Sequence, residues 1–147
     1  MSHLRPILLV EDSPNDVELT LAAFKENKLA NEVVVARHGG EALDYLHRRG
    51  KFQGVPPVLP VVVFLDLKMP KVDGLEVLRQ MKGDPVFKMI PVVMLTSSRE
   101  EADLVKTYQL GVNAYVVKPV GFQQFTDAIR QLGMFWAVLN EPPPAGT

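Results

Sequence analysis

Apolar residues gather into short runs that end at polar positions, and between those runs they recur at helical spacing. The runs with strand character are Ile7–Val10, Val33–Ala36, Val61–Leu65, Val92–Leu95 and Ala114–Val117. Three of them read "ILLV", "VVVFL" and "VVML", continuous rather than alternating. That pattern predicts strands buried on both faces, as parallel sheets require. The fifth run, "AYVV", is short enough for a sheet edge. Val17, Leu21, Phe24 and Lys28 mark a first helix, Ala42, Leu43 and Leu46 a second, and Leu75, Leu78 and Met81 a third. Asp12 or Ser13 can cap the first, with Pro14 in its opening turn, where a missing N–H matters little. Gly74 opens the third helix and Gly83 stops it; Glu100–Leu110 forms a fourth, closed by Gly111. The last begins near Phe122. Strands alternating with helices predict an α/β fold, a doubly wound parallel sheet of five strands in a single domain. Residues 48–60, "RRGKFQGVPPVLP", form an extended loop, and "NEPPPAGT" at 140–147 is a proline-rich tail.

Composition narrows the function classes. A chain of 147 residues is large enough for one domain with its own core. The net charge of -1 argues against a nucleic-acid surface, which needs a basic excess. With no cysteine there is no disulfide framework, thiolate metal site or thiol nucleophile. No apolar stretch approaches the roughly 18–20 residues of a membrane span, and the N-terminus lacks a signal-peptide pattern. A cytoplasmic domain without nucleic-acid or membrane partners is expected.

The chemistry lies where the strands end. Strand 1 runs into Glu11 and Asp12, strand 3 into Asp66, strand 4 into Thr96 and Ser97, and strand 5 into Lys118 followed by Pro119. Taken singly, each is an ordinary turn, cap or surface residue. In an open parallel sheet, however, the crevice beyond the carboxyl ends of the strands is the usual ligand site. Crowded carboxylates repel unless a positive group intervenes. All the donors on offer are oxygens, which suits a hard cation, and an open site of a few carboxylates suits Mg2+. Such an ion can hold phosphoryl oxygens while a carboxylate attacks phosphorus, with Lys118 and Thr96 as cation and hydroxyl donors.

The stretches "ILLVEDSPNDVEL", "VVFLDLKMPKVDGLEVL", "PVVMLTSS" and "NAYVVKPV" resemble the receiver domains of two-component response regulators, in the family's order and spacing. Thirty residues separate Asp66 from Thr96 and 52 separate it from Lys118. The resemblance covers about residues 5–132 and implies strand order 2-1-3-4-5, with residues 1–139 as a receiver domain carrying an extended C-terminal helix. It makes Asp66 the aspartate phosphorylated by a histidine kinase. Asp12, Asp66 and the backbone carbonyl of Lys68 would bind Mg2+, with Glu11 acting through a water. Lys118 would pair with the phosphoryl group, and the Lys118–Pro119 peptide bond would be cis. Thr96 and Tyr115 would move together as the switch. Lysine at position 68 departs from the common asparagine, which leaves the phosphoryl lifetime open. "VEDSPNDVELT", the loop at 48–60 and "FWAVLNEPPP" look like the small regulators partnered with bacterial and cyanobacterial phytochromes, so a phytochrome kinase is the expected partner.

Along the last helix, Phe122, Phe125, Ile129, Leu132, Trp136 and Leu139 keep helical spacing. Phe122, Phe135, Trp136 and Val138 suggest an apolar interface, and a symmetric homodimer through helix 4, strand 5 and helix 5 is the expectation. The alternative is a helix folded back to close the domain. The function expected is a stand-alone phosphoacceptor switch, not an enzyme acting on an external metabolite. An aspartyl-phosphate hydrolase is disfavoured because Lys68 stands where such enzymes place an acid. A dinucleotide site is disfavoured because no G-x-G-x-x-G follows strand 1. An unphosphorylated docking module is the remaining alternative. His3, His38 and His47 are read as solvated, Asn15 and Asp16 as serving the first helical turn, and "HRRGK" as a soluble helix end.

Overall fold

Parallel strands cannot be joined by tight turns, so each apolar run must return through a crossover, and here every crossover carries a helix. A computed structural model describes residues 4–68, 73–118 and 122–139, with side chains of the last stretch described to residue 131. The strands β1 (Ile7–Val10), β2 (Val33–Ala36), β3 (Val62–Asp66), β4 (Val92–Thr96) and β5 (Ala114–Val117) form one parallel sheet. Their order is β2-β1-β3-β4-β5. The helices are α1 (Pro14–Glu26), α2 (Gly39–His47), α3 (Gly74–Lys82), α4 (Arg99–Thr107) and α5 (Phe122–Leu139).

Every residue of β1, β3 and β4 is buried, as their unbroken apolar runs predict. Side chains alternate between the faces of a strand. Ile7, Leu9 and Phe64 pack with Val17 and Phe24 of α1 and with Phe125 and Ile129 of α5. Leu8, Val10, Val63 and Leu65 pack with Leu46 of α2, Leu78 and Met81 of α3, and Val105 of α4. Fully burying one such side chain contributes roughly 1.5–3 kcal/mol, so the centre of the sheet is the most strongly held part of the molecule. The polar strand ends grow from that buried centre.

Helix starts follow their caps. The Ser13, Asp73 and Ser98 side chains accept from the N–H groups of Asp16, Glu76 and Glu101. His38 does the same for α2: its side chain accepts from Glu41 N–H, so it is a cap and not a solvated bystander. The fourth helix begins at Arg99, one residue before expectation, because Ser98 caps it, and it ends at Thr107. Gln109 (φ 52°) and Gly111 (φ 73°) take left-handed conformations to turn the chain into β5, which stops the helix short of Leu110.

The basic run is structural as well. Arg48 Nη2 donates to the carbonyls of Pro56 (2.8 Å) and Val58 (2.9 Å), and Arg5 donates to those of Leu59 (3.1 Å) and Pro60 (2.7 Å). The loop also holds a 3-10 turn, Gly50–Phe52, whose Phe52 ring meets Tyr45 edge-on at 5.1 Å. The tail at 140–147 and the Lys118–Pro119 bond, through Pro119, lie outside the described residues.

Candidate functional site at the strand ends

Parallel register brings the site together. Val10 lies opposite Leu65, so Glu11 emerges beside Asp66. Asp66 lies opposite Leu95, and Thr96 opposite Val117, so Thr96 and Lys118 emerge on the other side. The Lys118 N–H donates to the Thr96 carbonyl at 2.6 Å, which fixes the chain where it leaves β5.

At the centre sits the Lys118 ammonium. Its Nζ lies 2.7 Å from Glu11 Oε1, 3.0 Å from Asp16 Oδ2 and 3.2 Å from Asp66 Oδ1. Burial alone would lower the pKa of Lys118. The hydrogen bonds to Glu11 and Asp16 and the charges of Asp66 and Glu11 outweigh it and hold the ammonium protonated above the usual lysine range. Burial pushes Glu11 up to about 7, against the pull of Lys118 and with the Asp66 charge adding. Burial also raises Asp66, against Lys118, Glu11 and the backbone N–H of Lys68. Glu11 is fully buried, and its other oxygen accepts from Ser13 N–H at 3.2 Å. It therefore touches Lys118 and the backbone directly.

Ligand oxygens of Glu11, Asp12 and Asp66 lie within 4.8 Å of one another. These are hard donors, two of them with raised pKa values, so a cation entering the cluster would relieve its crowding. The donor set fits a hard divalent ion such as Mg2+. Across the cleft, Thr96 is fully buried and its hydroxyl has no hydrogen-bond partner among the described residues. A buried hydroxyl without a partner is uncommon and points to a group it is placed to meet. The Thr126 hydroxyl on α5 shares that condition.

Tyr115 is half-buried on β5 with Lys106 Nζ 5.1 Å from its ring centre. Lys68 reaches away from the carboxylates: its Nζ lies 2.6 Å from Glu101 Oε2, while Glu101 Oε1 accepts from Ser97 N–H. Glu101 thus ties the loop after β3 to the start of α4. Phe122 is exposed, and the side chains of Phe135, Trp136 and Val138 lie outside the described residues.

Two site residues escaped the sequence reading, Asp16 and Glu101. Asp16 stands three residues after the cap Ser13, where an acid normally reaches back to the cap's own N–H. Glu11 already takes that N–H, which leaves Asp16 free to turn to Lys118. An acid just before strand 1's helix competing for the same donor is the signal that would have found it.

The family profile described as response regulator receiver domain matches residues 7–130. Response regulator Rcp1 of Synechocystis sp. is 37% identical over 130 residues, covering 88% of this chain and 87% of Rcp1. The solved structure of the bacteriophytochrome response regulator AtBRR is 65% identical, covers 95% of this chain and 100% of that one, and has a TM-score of 0.82. The Mn2+-bound form of response regulator Rcp1 is 35% identical, covers 95% of this chain and 99% of that one, and has a TM-score of 0.81.

Proposed function

This chain belongs to the response regulator receiver family, and from that premise we propose that it accepts a phosphoryl group from a histidine kinase on Asp66 and passes the signal on by a change of conformation. One observation carries the reading: Asp66, the Lys118 ammonium 3.2 Å away and the Thr96 hydroxyl, without a partner among the described residues, lie together at the strand ends. An Asp66 carboxylate oxygen forms the new bond to phosphorus as the bond from phosphorus to the donor's imidazole nitrogen breaks. The imidazole keeps the electron pair and takes up a proton from solvent. Lys118 donates to the phosphoryl oxygens, and Thr96 supplies the second donor. Lys68 N–H orients the Asp66 carboxylate.

Receiver domains bind Mg2+ or Mn2+ at an acidic cluster, and this chain carries one. Here Asp12, Asp66 and the Lys68 carbonyl would hold the ion, with Glu11 behind them through water. The ion supplies positive charge for the carboxylates and phosphoryl oxygens. Tyr115 follows Thr96 in the switch, biasing an existing equilibrium between two packings. The unit spans residues 1–139, without turnover of an external metabolite.

The donor is proposed to be a phytochrome kinase, on the strength of the 65% identity to AtBRR. Work in the cytoplasm is part of the same proposal; among the described residues no helix is long and apolar enough to cross a membrane. A homodimer through α4, β5 and α5 is supported by exposed Leu104 on α4, Tyr108 just after it, Val117 on β5 and Phe122 on α5. The test is transfer from an autophosphorylated bacteriophytochrome kinase. Label passes to the wild type, faster than from an unrelated histidine kinase, and not to Asp66→Asn. Equal rates from both kinases overturn the partnership.

A further inference from the structure

The Lys118 ammonium has three N–H bonds, and three carboxylates lie within 3.2 Å of it: those of Glu11, Asp16 and Asp66. A phosphoryl group on Asp66 draws on this same ammonium, and where Lys118 keeps its contact with Asp66 Oδ1 while donating to a phosphoryl oxygen, one of the other two partners must be given up. Glu11 cannot be the one released into water, because its side chain is 0% exposed, whereas that of Asp16 is 35% exposed. Releasing a carboxylate is cheap where water can replace the lost bond and expensive where it cannot.

Other contacts leave Asp16 suited to that role. Its backbone is pinned, since its N–H donates to Ser13 Oγ at 3.3 Å and its carbonyl accepts from Thr20 Oγ1 at 2.8 Å. Its side chain hydrogen-bonds to Lys118 across 102 residues of sequence. Asp16 and Lys118 line a narrow cleft with Leu19, Leu95 and Phe125, between α1 and α5. The contact thus joins the end of β5 to the opening turn of α1.

Resting on the phosphoacceptor reading above, the geometry points to Asp16 as a positioning residue that holds Lys118 in the unphosphorylated state and competes with the phosphoryl group for it. Phosphorylation breaks the Lys118–Asp16 pair and unties the end of β5 from the opening turn of α1, on the sheet face opposite α4. Asp16 therefore opposes the phosphorylated state, and removing its charge favours that state.

The experiment titrates beryllium fluoride with Mg2+ into wild type, Asp16→Asn, Asp16→Glu and Glu18→Gln, reading affinity by 19F NMR and the Lys118 ammonium by 1H–15N NMR. Glu18 is an exposed acid on the same helix and controls for loss of charge alone. Asp16→Asn binds the mimic about two- to fivefold more tightly, the range expected for one partly exposed ion pair. Asp16→Glu returns toward wild type, and Glu18→Gln matches it. Asp16→Asn shifts the Lys118 resonance in the free protein and leaves it unchanged in the bound one, which a merely structural role would not produce. Unchanged or weaker binding by Asp16→Asn, or a Lys118 shift that persists in the bound state, overturns the role of Asp16. Failure of the wild type itself to bind the mimic would instead sink the phosphoacceptor reading.

Discussion

Thr96 and Glu11 are both fully buried and polar, and each carries a penalty in the free protein that function would explain. The Thr96 hydroxyl has no partner among the described residues, and leaving a buried hydroxyl unpaired costs roughly 1–3 kcal/mol. Thr96→Val keeps the shape and removes the penalty. Urea unfolding should show the variant as stable as the wild type or more so, while its affinity for beryllium fluoride falls; undiminished affinity would contradict the role given to Thr96. Glu11 sits in the folded chain at about 7 against an ordinary 4.5, so between those values the folded state binds more protons than the unfolded one. Stability from this group is then highest at low pH and falls as pH rises through that window. Without Mg2+, the stability of Glu11→Gln relative to wild type should increase from pH 5 to pH 8 in thermal melts. A flat difference would show that burial does not hold Glu11 protonated.

At the scale of elements, the joint between β3 and α3 decides how well Asp66 is held. A Cβ on Gly74 would meet the Asp66 carbonyl oxygen at 2.1 Å and Leu67 Cα at 2.9 Å, both backbone atoms that cannot step aside cheaply. The helix starts this close to the strand only because residue 74 has no side chain. Gly74→Ala should lose about 2 kcal/mol or more in urea unfolding and label more slowly with acetyl phosphate. Wild-type stability and labelling would show that the joint relaxes freely. Most element positions were legible, because a strand buried on both faces must be apolar throughout and a helix one face at a time. What stayed hidden depended on contacts between distant residues. His38 looked solvated because its capping bond follows from the local turn geometry, and the grip of Arg5 and Arg48 on the loop carbonyls has no sequence period. The early end of α4 is set by Gln109, a residue without the usual preference for a left-handed conformation.

For the whole molecule, register in a parallel sheet turns one-dimensional spacing into a site, which is why Glu11, Asp66, Thr96 and Lys118 could be named before any coordinates. Register says nothing about helix side chains that reach back over the strand ends. Asp16 and Glu101 enter from α1 and α4, and only the folded arrangement reveals what they touch. Assembly belongs to this scale too. With Leu104, Val117 and Phe122 exposed on α4, β5 and α5, and Tyr108 exposed just after α4, sedimentation at tens of micromolar should give a dimer, weakened by Leu104→Glu. A pure monomer with and without beryllium fluoride would reject it.

On the proposed function, distant carboxylates converge so that one of them carries a phosphoryl group. Incubation with acetyl phosphate and Mg2+, followed by intact mass, tests it most directly. The wild type should gain one phosphoryl group, and Asp66→Asn, or the wild type after chelation of the metal, none. An unchanged wild-type mass under conditions that label another receiver, or a label that survives Asp66→Asn, would contradict it.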